Sequence, residues 1–126
     1  MIEALFNQPN YLASKKLLDA TVLRQAAISS NLANLETPNY QRVDLAPSFR
    51  AALSRAVVGK VPARIQDVTP RLALDPNAVA HGRDGNTVQL ENEMMQLHQN
   101  TLENAVGSRM VTGSLLRLRM AITGHA

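Results

Sequence analysis

Two stretches of the chain carry apolar residues at helical spacing, and a proline- and glycine-rich stretch lies between them. In the first, Leu18, Val22, Ile28, Leu32 and Leu35 follow steps of three or four residues, with Gln25 interrupting. That is the period of one helix face and predicts a helix over residues 11–35, about 37 Å long. Pro38 stops it, because proline lacks the N–H and drives Thr37 toward extended backbone, so the helix should end near Asn34 or Leu35. Pro38-Asn39 then suits the centre of a type I or type II turn, since Asn accepts positive φ better than most residues.

The second stretch opens at Asp84-Gly85-Asn86-Thr87. Asn86 or Thr87 is placed to cap the free amides, and Glu91 and Glu93 lie near the positive end of the helix dipole. Alternating steps of four and three residues then visit Leu90, Met94, Leu97, Thr101, Asn104, Ser108, Val111, Leu115, Leu118 and Ile122. This predicts a helix over residues 87–122, roughly 54 Å long, apolar at both ends of its seam and polar in the middle. A neighbouring stripe of Met95, Leu102, Val106, Met110, Leu116 and Met120 is expected to broaden the buried face, and Gly124 ends the helix.

Residues 45–83 differ in character, with Pro47, Pro62, Pro70 and Pro76 and with Gly59 and Gly82. Helical spacing is confined to residues 47–58, where Phe49, Leu53 and Val57 share a face and Pro47 fits the first turn. Val61–Ile65 and Arg71–Leu74 are candidates to pair as short edge strands. The segment as a whole is expected to be flexible or irregular.

Composition narrows the picture. Hydrophobic residues make up 45% of the 126 residues but aromatic residues only 3%, so the apolar surface is mostly Ala, Leu, Val, Met and Ile, which suits helix seams. The net charge is +3, but basic and acidic residues are interspersed without a like-charge run, so no nucleic-acid tail is indicated. The absence of cysteine removes disulfides, thiolate ligands and a cysteine nucleophile. Met1–Asn10 lacks the basic start of a secretory signal, and no stretch approaches the ~18 apolar residues of a membrane span. By these signals alone the chain reads as cytoplasmic.

The asparagine-rich end of the first helix, Asn31-Leu32-Ala33-Asn34, followed by Thr37-Pro38-Asn39-Tyr40, resembles the N-terminal signature of the flagellar basal-body rod family. Asn39 stands where that signature has glycine, a departure the turn should tolerate at up to about 1 kcal/mol. Asp84-Gly85-Asn86, Val88, Leu90-Glu91 and Glu93-Met94 are similar to the pattern that precedes the terminal helix in rod proteins of the proximal type. The resemblance covers the two terminal helices and their junctions and says little about residues 45–83. It implies a structural subunit that self-assembles with other rod subunits and with basal-body ring and junction proteins. It also implies passage unfolded through the flagellar type III export apparatus without a cleaved signal peptide, Met1–Asn10 being the candidate export segment with Leu5 and Phe6 as its apolar elements.

Candidate chemistry adds little. His81, His98 and His125 are too far apart for a local ligand set, Glu91 and Glu93 cannot share a helix face, and the glycines form no phosphate loop. No cofactor, metal, small-molecule substrate or enzymatic activity is expected. The alternative is a cytoplasmic helical-bundle binding module that engages nucleic acid through Arg109, Arg117 and Arg119, although basic residues at a helix end also complement its dipole. The expected architecture is all-α, with the two long terminal helices packed antiparallel, or nearly so, as a coiled-coil-like pair. Residues 1–44 and 84–126 form one unit, and residues 45–83 form a variable middle. The assembly seam is expected at Leu18, Val22, Ile28 and Leu32 and at Leu90, Met94, Leu97, Val111, Leu115, Leu118 and Ile122.

Overall fold

The computed structural model describes residues 2–124; Met1 and His125, named above, lie outside them. The order of elements is α1 (Ile2–Phe6), α2 (Pro9–Ala33), β1 (Val43–Leu45), α3 (Ser48–Val58), α4 (Pro62–Asp67), β2 (Leu72–Leu74) and α5 (Leu90–Thr123). The protein is mostly helical, with a long helix toward each terminus.

Pro9 opens α2, where its missing N–H costs nothing because the first amides of a helix have no partner within it. The helix ends at Ala33 with Asn34 as its C-cap. At the far end of the chain Gly124, at φ 67°, closes α5 by donating its N–H to Met120 O at 2.8 Å. The two long helices run antiparallel, since Asn31 meets Glu93, Thr21 meets Asn100 and Leu18 meets Gly107.

Three expectations are corrected. The middle of the chain is not irregular throughout, because α4 and β2 are formed there besides the expected helix α3, while residues 75–89 form neither helix nor strand. Val61–Ile65 is not a strand: Pro62 sits in the first turn of α4, and Ile65 is fully buried. Leu72–Leu74 does form a strand, but its antiparallel partner is Val43–Leu45, just past the Thr37–Tyr40 turn.

The hydrophobic core is built by Leu12 and Ala20 from α2, Phe49, Leu53 and Ala56 from α3, and Ile65 from α4. The middle segment therefore supplies most of the apolar packing under α2. On the α5 side, α2 presents Thr21, Ile28 and Asn31, all buried. Small residues at Ala20, Thr21 and Ala27 let neighbouring elements approach α2 closely, whereas Val22, expected on the seam, points to solvent at 62% exposure.

Candidate functional site

The junction between the two long helices is a polar clasp, and Asn31 stands at its centre. Its side chain is fully buried within the last turn of α2 and faces the strand that returns after the turn. Nδ2 donates to Val43 O at 2.7 Å and Oδ1 accepts the Val43 N–H at 3.0 Å, so the amide pairs with the outer edge of β1 as another strand would. The same side chain reaches Glu93 Oε2 at 3.3 Å and accepts from the Tyr40 hydroxyl at 3.2 Å.

Glu93 lies in the first turn of α5, as its position in the sequence implies, and it has no exposed surface. It accepts from Arg42 Nε as well as from Asn31. Arg42 Nη1 spans Asp44 at 2.9 Å and Asp75 at 2.7 Å, and Arg24 pairs with Asp44 at 2.9 Å and also donates to Gln96. Burial acts against the charge on Arg42, but hydrogen bonds to Glu93 and Asp44 outweigh it and raise its pKa. Burial likewise pushes the Asp44 carboxyl up, and the Arg24 guanidinium, the Leu45 N–H and Arg42 together hold it below the usual carboxylate range. Paired in this way, the charges join α2, β1, β2 and α5.

A second set of contacts closes the end of α2. Asn34 Nδ2 donates to Ser30 O at 2.8 Å and its Oδ1 accepts from the Thr37 hydroxyl at 3.1 Å. The turn is of type II, with Tyr40 N–H bonded to Thr37 O at 3.3 Å and Asn39 at φ 59°. Asn39 N–H then donates across to Asp84 O at 2.7 Å.

Neither Asn86 nor Thr87 caps α5, which starts later, behind Gln89. The Asn86 amide instead donates to the carbonyls of Asn34, Leu35 and Thr37 at 2.8, 3.0 and 2.9 Å, satisfying acceptors left free where α2 unwinds. Thr87 Oγ1 takes the Arg42 N–H at 2.7 Å. The extended backbone needed for these contacts delays the helix by three residues.

The remaining residues singled out from the sequence are distributed as follows. Val88 is buried beside the clasp, Leu32 is half-buried, and Ala33, Pro38, Asp84, Leu90, Glu91 and Met94 are exposed. Ile28 is buried, Leu18, Leu97, Val111 and Leu118 are half-buried, and Val22, Leu115 and Ile122 are exposed. The stripe expected to widen the buried face of α5, Met95, Leu102, Val106, Met110, Leu116 and Met120, is exposed along its whole length. The face that α5 turns to α2 is instead polar and small: Asn100 donates to Thr21 O at 2.9 Å, Asn104 to Thr21 Oγ1 at 2.8 Å, and Gly107 lies against Leu18. Thr101 and Ser108 point outward.

Sequence reasoning missed Arg24, Arg42, Asp44, Asp75 and Asn100. The one signal was the alternation in Arg42-Val43-Asp44, which places both charges on one face of a strand. Among the described residues no group of three or more ligating side chains is placed to hold a metal ion, and no helix is long and apolar enough to cross a membrane.

The family model described as flagella basal body rod protein matches residues 18–41, the end of α2 and the turn after it. Along most of its length the chain is also similar to proteins named flagellar basal body rod protein FlgB. It is 30% identical over 114 residues to that of Aquifex aeolicus, covering 89% of this chain and 91% of the relative. With that of Cereibacter sphaeroides it shares 32% over 118 residues, 84% and 90% of the two chains. With that of Borrelia hermsii it shares 30% over 105 residues, 69% and 76%.

Proposed function

Because the chain belongs to the flagellar basal body rod protein family, we propose that it is the proximal subunit that polymerises through its long helices and connects the membrane ring to the rod. Its role in the basal body is structural. Torque transmission needs a stiff tube with many shared seams, and an isolated chain suited to it should carry apolar surface that it cannot bury alone.

The observation that supports this reading is the unpartnered stripe on α5. Leu102, at 68% exposure, and Val106 and Met110 beside it form an apolar band along the flank of the α2 contact, lining an open groove with Leu17 and Thr21 of α2. Coiled-coil-like pairing belongs to the assembled state, with this band and the seam residues Leu115 and Ile122 covered by helices of neighbouring rod subunits or of ring and junction proteins. Residues 1–44 and 84–126 make the rod-forming unit, and residues 45–83 are the variable segment that buttresses it. The subunit reaches the periplasmic rod through the type III export apparatus, with the segment up to Asn10 as the export signal. Arg109, Arg117 and Arg119 are then solvated charges on α5, not a nucleic-acid site.

Leu102→Asp with Val106→Asp tests the band. Both side chains are exposed in the single chain, so the purified subunit should keep its helicity, while cells carrying it should build no rods and should not swim. Leu115→Asp with Leu118→Asp, at the end of the helix, should act the same way. Intact motility with the first pair would refute the band as the assembling surface.

A further inference from the structure

We propose that the outer edge of β2 pairs antiparallel with the β2 edge of a second copy of this chain, joining two ribbons into a four-stranded sheet before the subunit enters a polymer. The ribbon has one closed edge and one open edge. Asp75 N–H donates to Arg42 O at 2.9 Å and Ala46 N–H to Arg71 O at 2.7 Å, in a register that pairs Asp44 with Ala73. In such a ladder, alternate residues face the partner strand. Residues 71, 73 and 75 therefore turn their peptide groups toward β1, and Leu72 and Leu74 turn theirs away from it. On β1 the corresponding outward groups belong to Val43 and are taken by the Asn31 amide. On β2 they face solvent, beside leucine side chains that are 38% and 63% exposed.

An open edge of this kind is a template for another strand. What selects a second copy is the local sequence. Pro70-Arg-Leu-Ala-Leu-Asp-Pro76 reads almost the same in both directions, apart from the exchange of Arg71 and Asp75. Antiparallel pairing centred on Ala73 sets Leu72 opposite Leu74 of the other copy, with both sets of outward peptide groups in register for four hydrogen bonds. The same register sets each Arg71 opposite an Asp75, a cross-strand pair of opposite charge. Arg71 has no ion-pair partner among the described residues, whereas Asp75 already meets Arg42 from within its own chain. Proline faces proline at both ends, and since neither has an N–H to offer, the pairing cannot lengthen. Such a contact is isologous and closes on itself, so it competes with polymer growth and does not extend it.

The chain has no cysteine, so one introduced thiol reports on the pair. The two copies of Ala73 would form a non-hydrogen-bonded cross-strand pair with Cα atoms about 4.5 Å apart, within disulfide reach. Under mild oxidation the purified Ala73→Cys chain should form a linked dimer on the order of tenfold or more faster than Ser54→Cys, an exposed position on α3. Adding Arg71→Asp, which places like charges opposite each other, should reduce the rate to that of the control while the circular dichroism spectrum stays unchanged. Cross-linking of Ala73→Cys at the control rate, or a fast rate that Arg71→Asp leaves untouched, overturns the proposal. Cross-linking that appears only when a different rod subunit is added overturns the choice of a second copy as occupant. The Ala73→Cys, Ser54→Cys and Arg71→Asp arms use the purified chain alone, so they succeed or fail independently of rod assembly.

Discussion

Asn39 and Gly85 meet back to back, each with left-handed backbone, at φ 59° and 73°, and a β-carbon on Gly85 would stand 2.5 Å from Asn39 Oδ1. The contact lies where the Asn39 N–H bonds to Asp84 O, so the turn after α2 and the turn before α5 are held together, and a side chain at residue 85 would have to displace the exposed Asn39 amide. Gly85→Ala is expected to cost about 1–2 kcal/mol, chiefly from the left-handed residue, with a smaller share from moving the Asn39 amide. Asn39→Gly removes the obstructing oxygen, so the double variant should be less destabilised than the sum of the two single changes. Urea unfolding of the four proteins measures that coupling, and strict additivity would show that the Asn39 side chain does not obstruct residue 85.

Within Asn31-Leu32-Ala33-Asn34 the two asparagines do different work. Asn31 is buried and serves both backbone groups of Val43, whereas Asn34 lies at a half-exposed helix end. Asn31→Leu should therefore cost about 3 kcal/mol, since it strands a buried donor and acceptor. Asn34→Ala should cost about 1 kcal/mol, the loss of partly exposed capping bonds. Equal losses in chemical denaturation would contradict the central position given to Asn31.

Acid should loosen the clasp through Asp44. Its folded pKa is held below the unfolded value of about 3.9, so its contribution is complete above that value and is lost as pH falls through the folded pKa. Arg42 has the opposite sign: its raised pKa gives a contribution lost only as pH rises through the strongly alkaline range, so it stays constant in acid. The stability difference between the native chain and Asp44→Asn should be constant from about pH 5 to 8 and shrink below about pH 4. A difference that persists unchanged to about pH 2 would remove Asp44 from this role.

Deleting residues 2–8 should block export while leaving helicity nearly intact. The segment adds surface contacts, with the Phe6 ring edge-on to Tyr11 at 5.7 Å and Asn7 accepting from Gln66 at 3.3 Å, whereas the core is built by residues of α2, α3 and α4. Pulse labelling of secreted subunits provides the measurement. Normal export of the shortened chain would place the signal elsewhere.

The sequence by itself determined the elements whose causes are local. Helical period, the break at Pro38, the positive φ of Asn39 and the αL closure at Gly124 each depend on a few neighbouring residues, and the long helices end within a few residues of where their patterns stop. The family signatures were legible for the same reason, as short runs of consecutive residues. Tertiary structure decided which stripe is buried. Large apolar residues such as Val22 and Leu115 stay exposed in the single chain, and α2 and α5 approach through Thr21, Asn100 and Gly107, because small and amide side chains allow close packing and exchange hydrogen bonds. Local sequence also assigns Asn86 to the wrong helix end, because a capping residue satisfies whichever free carbonyls or amides the fold brings near, and here those belong to Asn34, Leu35 and Thr37. Glu93 became a buried anion only because Arg42 and Asn31, more than fifty residues earlier in the chain, converge on it. Its local sequence is that of any solvated first turn, and only the long-range pairing makes its burial affordable.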